Sequence, residues 1–261
     1  MNALKIVEDL KQKYNISDEY EIAFIMGSGL DAGVPEFENE LVIDYENTQM
    51  PESKVQGFKG RFVFGKIDGI KVMKITRYHY YESGDVALVR LPFEILSLLK
   101  VKTVVLATAS GGVDKSFEVG TLMLIEDHIN LTGYSPLIGK EKIEFIDMNN
   151  AYDQSLRTLA IESARKAGVE LAQGVHIQFS GPTYETPAEV NLARILGAKT
   201  VSMSTAFDTI CARSHGIKVL AFASVVNKAG VVEEEVTHEI VLEASRKNAV
   251  KIKKILTEML K

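Results

Sequence analysis

Short apolar runs alternate along the chain with longer segments whose apolar residues recur at helical spacing. Ile22–Met26 and Val104–Ala107 are unbroken apolar runs, and runs this short are typical of strands buried on both faces. Leu4–Tyr14 and Leu156–Ala167 instead place their apolar residues on one side of a helix. Strands that alternate with helices predict an α/β fold in which helices cover both faces of a central sheet.

A hairpin signal indicates that this sheet is mixed rather than purely parallel. Asp68-Gly69 separates the strand-like segments Arg61–Gly65 and Ile70–Ile75. An Asp-Gly pair between two apolar segments favours a tight antiparallel turn. Residues 31–60 contain prolines and glycines, which favour irregular structure, and we expect no regular element there.

The strand at Val104–Ala107 runs into small side chains that end at Gly111-Gly112, where we expect a tight turn. Bare backbone at the end of a buried strand lets a ligand approach closely. Ligands of open α/β sheets bind at the carboxyl ends of the strands, although a plain turn is an equally simple interpretation. Another predicted strand, Leu122–Ile125, precedes residues 127–133, which we expect to form a loop.

Length, charge and cysteine content narrow the classes of protein that this pattern allows. The chain has 261 residues, 46% of them hydrophobic and 25% charged, which predicts one α/β domain over residues 1–261. A net charge of −5 with scattered Lys and Arg argues against nucleic acid as a partner. The chain lacks a long apolar run, and Cys211 has no second cysteine to pair with, so we predict a cytoplasmic protein without membrane contact.

Oxyanion-binding chemistry is possible at the ends of two predicted strands. Gly27-Ser28-Gly29 follows the first apolar run, and its backbone N–H groups and hydroxyl suit an oxyanion, although a plain turn fits equally well. Arg77 and His79 follow Ile70–Ile75 and offer a planar fork of donors and a ring nitrogen, which suit phosphate. A surface Arg/His pair is the simpler alternative for these two residues.

Three further residues have the chemistry that a purine base requires. Tyr184 and Glu185 follow a predicted strand, and Asn227 ends another. An aromatic face, a carboxylate acceptor and an amide together match the face and polar edge of a purine. A solvated carboxylate and a strand-terminal turn are the alternatives for Glu185 and Asn227. The histidines have no metal-ligand spacing to any carboxylate or cysteine, so we predict no metal site.

Taken together, these segments resemble the trimeric purine nucleoside phosphorylases, in a family that also holds the methylthioadenosine phosphorylases. The resemblance runs along nearly the whole chain, and so many separated motifs are not expected to match in order by chance. The motifs that carry it are Gly27–Leu30, Gly60–Gly65, Arg77–Glu82, Gly111-Gly112, Phe117–Gly120, Asp127–Leu131, Gly181–Thr186, Met203–Thr205 and Asn227-Lys228.

The resemblance implies a binding role for each matching residue. The residues expected to hold phosphate are Ser28, Arg77, His79, Ser204 and, through its backbone N–H, Ala109. Those expected to line the ribose are Tyr81, Met203 and His238, of which His238 would contact the 5′-hydroxyl. Those expected to bind the purine are Ser110, Gly111, Tyr184, Glu185, Val201 and Asn227.

The resemblance also implies a reaction. Bound phosphate would attack the ribose carbon of a 6-oxopurine nucleoside such as inosine or guanosine, releasing the base and (deoxy)ribose 1-phosphate. The transition state resembles an oxocarbenium ion, so catalysis would rest on positioning and electrostatics. Asn227 would donate to N7 of the leaving purine, Glu185 would accept from N1–H, and His79 would act beside the phosphate. Inorganic phosphate is then a co-substrate, and no cofactor is expected.

The resemblance also implies an oligomeric state, and the sequence departs from the family pattern at several positions. The family implies a homotrimer, with Phe145 as a candidate for the residue lent to a neighbour's ribose site. Phe58 stands where relatives carry a phosphate-site histidine, which predicts weaker phosphate binding. Thr108, Ser110 and His176 replace the asparagine, alanine and aromatic residue that are common in relatives.

Two alternative functions stay open. A methylthioadenosine- or methylthioinosine-type phosphorylase shares the fold but lacks the base-reading Glu and Asn, so Glu185, Asn227 and His238 argue against it. A catalytically weak nucleoside-binding module is the second alternative, because a fold does not fix an activity.

Overall fold

Helices and strands alternate along the chain as the hydrophobic pattern predicts. The computed structural model describes residues 2–55, 59–140, 142–231 and 238–261, the last range without the side chains of residues 238–240. Its strands are β1 (Ile22–Met26), β2 (Glu38–Asp44), β3 (Arg61–Ile67), β4 (Ile70–Ile75), β5 (Thr103–Gly112), β6 (Leu122–Asn130), β7 (Ala172–Gln178), β8 (Ala198–Ser202) and β9 (Lys218–Lys228). Its helices are α1 (Ala3–Tyr14), α2 (Val86–Leu98), α3 (Gln154–Lys166), α4 (Pro187–Ile195), α5 (Ala206–Ser214) and α6 (His238–Met259).

One mixed sheet connects all of these strands, in the order β2-β3-β4-β1-β5-β8-β7-β6-β9. The predicted hairpin is present, since β3 and β4 pair antiparallel around Asp68 and Gly69, both of which have positive φ. Strand β5 also pairs in parallel with β9, so β5, β8, β7, β6 and β9 close into a ring of strands. The predicted α/β class with a mixed, helix-flanked sheet is therefore confirmed.

Helices cover both faces of the sheet. Successive residues of β5 point to opposite faces and therefore pack against different helices. Val104 and Leu106 pack in one apolar cluster with residues of α1, α2 and α5. Val105 and Ala107 pack in the other, with residues of α3 and α6. The prediction that this strand is buried on both faces is thus correct. Among the helices that the structure describes, none is long and apolar enough to cross a membrane.

Three local predictions were wrong, and in each case strand pairing overrode the local sequence. Residues 31–60 are not wholly irregular, because the polar segment of β2 pairs with β3 at the edge of the sheet. The segment 127–133 begins as strand, since His128–Asn130 pair with His176–Gln178. Gly111-Gly112 do not form a turn but continue β5 between β8 and β9. Pairing with strands that are distant in sequence decides where a strand begins and ends more than the β-propensity of its own residues does.

A helix cap and a glycine fix the conformation of two loops near the carboxyl ends of the strands. Thr186 caps α4 and exchanges hydrogen bonds with Glu189, and Pro187 occupies the first helical position. Gly29 has φ of 74°, and a Cβ there would lie 2.8 Å from Cβ of Ser245 and 2.9 Å from the Leu242 carbonyl oxygen. Only glycine therefore lets the loop after β1 pack directly against α6.

Candidate active site

A cavity of about 440 Å³ opens where the carboxyl ends of the central strands meet. Most of the residues predicted to bind phosphate, ribose or purine lie in its wall. Those that the structure brings together are Ser28, His79, Tyr81, Ala109, Ser110, Gly111, Tyr184, Glu185, Val201, Met203, Ser204 and Asn227.

Strand register joins three of the predicted purine-binding residues. Gly111 pairs with Val201 of β8 on one side and with Asn227 of β9 on the other. A β-bulge at Val226 allows this pairing, because Ser110 is in register with Val225 and Gly111 with Asn227. A Cβ on Gly111 would lie 2.9 Å from Cβ of Ala229 and 3.2 Å from Cγ1 of Val201, so a side chain there would force these strands apart.

Backbone and hydroxyl groups gather at the other side of the cavity. The Gly27 N–H donates to the Ala107 carbonyl at 2.8 Å, which holds the loop containing Ser28 against the middle of β5. The hydroxyls of Thr108 and Ser204 lie 3.1 Å apart, and both residues line the cavity with Ala109. This group is rich in donors and carries no carboxylate, which suits an oxyanion.

Arg77 is not among the residues that line this cavity, and the phosphate contact predicted for it stays a prediction. Its side chain is 1% exposed, and Nη1 forms an ion pair with Asp208 of α5. Nη2 donates to the carbonyls of Ile25 at 3.0 Å and Ala107 at 2.9 Å, while Nε is buried without a hydrogen-bond partner among the described residues. The guanidinium thus connects the end of β1 with the middle of β5.

Glu82 organises the segment that carries His79. Its Oε1 accepts the His79 backbone N–H at 2.6 Å and lies 3.2 Å from Nδ1 of the same residue. Its Oε2 accepts the Ser53 hydroxyl and the Lys54 N–H, both at 2.9 Å. Burial opposes ionisation of this carboxyl, but these hydrogen bonds prevail and lower its pKa to about 2. A charged, buried carboxylate thus positions a cavity histidine.

Glu185 presents an acceptor that none of the described residues uses. Its Oε1 is buried and has no hydrogen-bond partner in the part of the chain that the structure describes, and burial raises the pKa of the carboxyl. Leaving a buried polar atom unpaired is costly, so such an atom in a cavity wall marks the place of a missing donor.

The structure describes the side chains of two of the three predicted ribose-binding residues, Tyr81 and Met203. The rings of Tyr81 and His79 stack with their centroids 4.9 Å apart. Met203 packs against Gly181, where a Cβ would lie 2.5 Å from the Met203 sulfur. The side chain of His238 and all of Phe58 lie outside the described residues, so the predictions made for them stay predictions.

Comparisons with known proteins agree with this arrangement. The model of the phosphorylase superfamily matches residues 21–261. Purine nucleoside phosphorylase 1 of Geobacillus stearothermophilus is 38% identical over 245 residues, which are 91% of this chain and 89% of that protein. The chain belongs to the purine nucleoside phosphorylase family. The predicted resemblance is therefore confirmed, and with it the class of enzyme, a pentosyltransferase.

Solved structures of the family share the fold closely. Purine nucleoside phosphorylase of Schistosoma mansoni in complex with adenosine superposes with a TM-score of 0.91 and 31% identity, covering 99% of this chain and 96% of that one. The complex of the Schistosoma mansoni enzyme with inosine gives a TM-score of 0.90 and 31% identity, covering 99% and 95%.

Sequence reasoning about the phosphorylase site missed several residues of the cavity wall. They are Val55, Thr108, Pro187, Ser202, Val226, Ala229, Gly230, Val231 and Val241. Thr108 and Ser202 are immediate neighbours of residues that were predicted, so their chain position was a usable signal. Val55 and Val241 come from distant segments, and no sequence pattern marks an isolated valine as a contact.

Glu82→Gln should destabilise the protein by about 1.5–3 kcal/mol at pH 7, the usual worth of hydrogen bonds to a charged group. Because the pKa of Glu82 in the folded state lies below the ordinary value of 4.5, its stabilisation is complete above pH 4.5 and fades as pH falls towards 2. Urea denaturation of both proteins at several pH values measures the difference. The exposed neighbour Glu52 provides the control Glu52→Gln, and equal losses in the two variants would contradict the role of Glu82.

Proposed function

We propose that the chain cleaves the N-glycosidic bond of 6-oxopurine nucleosides by phosphorolysis, yielding the free base and (deoxy)ribose 1-phosphate. The single observation that carries this proposal is that one cavity combines the donor group formed by Ser28, Ala109 and Ser204 with the unpartnered Oε1 of Glu185. The first suits an oxyanion and the second a donor on a base. Family membership supports the reaction class.

Phosphate would lie against Ser28, His79, Ser204 and the backbone N–H of Ala109. These groups donate hydrogen bonds without adding negative charge, so a phosphate dianion is favoured there. Bound in place, its oxygen attacks the anomeric carbon of the ribose while the bond to the purine breaks. Its negative charge also stabilises the ribosyl cation that develops in the transition state. Arg77 would act on this site indirectly, through β1 and β5, which its guanidinium connects.

The purine would lie beside Gly111, Val201 and Asn227, which the strand register brings together in the cavity wall. The Asn227 amide would donate to N7 and so meet the charge that the base acquires as it leaves. Glu185 would accept from N1–H, which hypoxanthine and guanine carry and adenine does not. A carboxylate that faces the N1 lone pair of adenine is repelled and stays unpaired.

Phosphate is the only co-substrate in this proposal, and no metal or organic cofactor takes part. The proposal also assigns the enzyme to the cytoplasm, where a single reduced cysteine is ordinary, and Cys211 is free and buried.

The first expectation from this function is that base release requires phosphate. Hypoxanthine should appear from inosine, and guanine from guanosine, only when phosphate is added, with ribose 1-phosphate formed in equal amount. Chromatography of the products with and without phosphate, and with and without a chelator, measures this. Equal release in phosphate-free buffer, or loss of activity with the chelator, would overturn the proposed reaction.

The second expectation concerns the base. Adenosine should be turned over with a kcat/KM lower than that of inosine by on the order of 10³ to 10⁴, because a site built to hydrogen-bond rejects a mismatched partner strongly. Glu185→Gln should narrow this gap mainly by impairing inosine, whereas Glu170→Gln, at an exposed position, should leave it unchanged. A relative crystallises with adenosine, so turnover rather than binding is the measurement that decides. Similar efficiencies for both nucleosides would refute the role of Glu185.

We also propose that the chain assembles as a homotrimer through the segment between β6 and α3. This segment exposes several large apolar side chains: Leu131 at its start, then Tyr134, Ile138, Ile143 and Phe145. Phe145 is 99% exposed, an unusual state for a phenylalanine, and an apolar patch of this kind marks an interface.

Light scattering should give three times the mass of one chain. Phe145→Ala should lower nucleoside affinity or weaken the trimer while leaving the stability of the isolated fold unchanged, because the ring makes almost no contact within its own chain. Ile195→Ala is the control, since Ile195 is also exposed but lies on α4. Full activity of a strictly monomeric wild-type protein would refute the assembly.

A further inference from the structure

His176 is a completely buried histidine whose two ring nitrogens both contact hydroxyl groups. It lies on β7 and is 0% exposed. Its Nδ1 is 2.9 Å from Oγ1 of Thr200, and its Nε2 is 2.9 Å from Oγ of Ser202. The reaction described above does not use this residue, and the cavity wall does not include it.

The imidazole is neutral at physiological pH, because burial lowers the pKa of His176 to about 3. A neutral ring has one N–H donor and one acceptor nitrogen. The Ser202 hydroxyl donates to the Ser204 carbonyl at 3.1 Å, so its only proton is already engaged. We assign the ring proton to Nε2, which then donates to Ser202. Nδ1 is the acceptor for the Thr200 hydroxyl, whose other partner is the Met123 sulfur at 4.0 Å.

Ser202 in turn fixes the backbone of Ser204. Besides donating to the Ser204 carbonyl, its Oγ accepts the Ser204 N–H at 3.2 Å. It also lies 3.4 Å from Oγ1 of Thr108, which is 3.1 Å from Oγ of Ser204. One hydroxyl oxygen thus orients the residue whose own hydroxyl faces the oxyanion-binding end of the cavity.

The chain needs such support at this point. Thr205, next to Ser204, has φ of 85°, a conformation that L residues rarely adopt, and its buried hydroxyl has no hydrogen-bond partner within the described ranges. Strained backbone at a functional site persists only where its surroundings hold it. On the far side of Thr205, the Phe207 N–H donates to Oε1 of Gln178 at 3.0 Å, also from β7. His176 and Gln178 hold the two sides of the strained residue.

We propose that His176 is a positioning residue for phosphate, acting through the Nε2–H donation to Ser202 that sets the direction of the Ser204 hydroxyl. This rests on the proposed placement of phosphate at Ser204. The contact with Thr200 serves the packing of the strand ring and not the phosphate. The two ring nitrogens therefore have separable functions.

Two substitutions separate the nitrogens. The side-chain amide of a glutamine at this position can occupy the place of Nε2. The amide of an asparagine, which has a shorter side chain, can occupy the place of Nδ1. His176→Gln should keep the donor to Ser202 and leave the phosphate KM within about twofold of wild type. His176→Asn and His176→Phe lose that donor and should raise the phosphate KM about three- to tenfold, the effect of one lost hydrogen bond. The inosine KM, measured at saturating phosphate, should change much less.

Thermal denaturation supplies the readout that distinguishes positioning from packing. The Gln and Asn variants each lose one ring contact, so both should melt at similarly reduced temperatures while differing in phosphate KM. The shift of melting temperature by inorganic phosphate alone should follow the same order as the KM. His128→Gln is the matched control, because His128 pairs with His176 in the neighbouring strand but contacts Tyr152 instead.

Equal phosphate KM values for the Gln and Asn variants would overturn the proposal, and so would equal rises in the KM for inosine and phosphate. Ser204→Ala, measured in parallel, separates this proposal from the one that it rests on. If Ser204→Ala raises the phosphate KM and His176→Phe does not, only the role of His176 is wrong. If neither raises it, phosphate lies elsewhere and both proposals are wrong.

Discussion

The pairing of β5 with three other strands is the constraint on which the rest of the structure depends. At its start β5 lies between β1 and β9, and at its end it lies between β8 and β9. The exchange of β1 for β8 closes the strand ring and places segments from three parts of the chain at one edge. It depends on Gly111, where a Cβ would lie 2.9 Å from Cβ of Ala229 and 3.2 Å from Cγ1 of Val201. The site is therefore a consequence of strand register as much as of its side chains.

The interior of the strand ring is unusually polar for a protein core. Thr108, His176, Gln178 and Thr200 are all nearly or fully buried. Burying a polar group without a partner is unfavourable, so each such residue restricts the arrangements that its neighbours can adopt. An apolar ring interior would tolerate small rotations of β7 and β8. A hydrogen-bonded interior selects a single register of these strands, and this register fixes the positions of the residues in the cavity wall.

The sequence predicted the elements that local pattern controls. Apolar runs located β1 and β5, and helical spacing located α1 and α3. It failed for β2 and for the second half of β6, where polar residues form strand only because a neighbour supplies hydrogen bonds. The site residues came mainly from resemblance to a family, since Glu185 or Asn227 alone has an ordinary alternative interpretation. The ion pair of Arg77 with Asp208 could not be predicted, because Asp208 is distant in sequence and follows no recognisable spacing.

The contact between Gly29 and α6 restricts how this enzyme can evolve. The backbone of the loop that carries Ser28 packs directly on Leu242 and Ser245 with no side chain between, so the position of the loop depends on that of the helix. Substitutions along α6 that shift the helix on the sheet will displace Ser28 even where they are distant from the cavity. Residues of this loop and residues of α6 are therefore expected to change together in evolution.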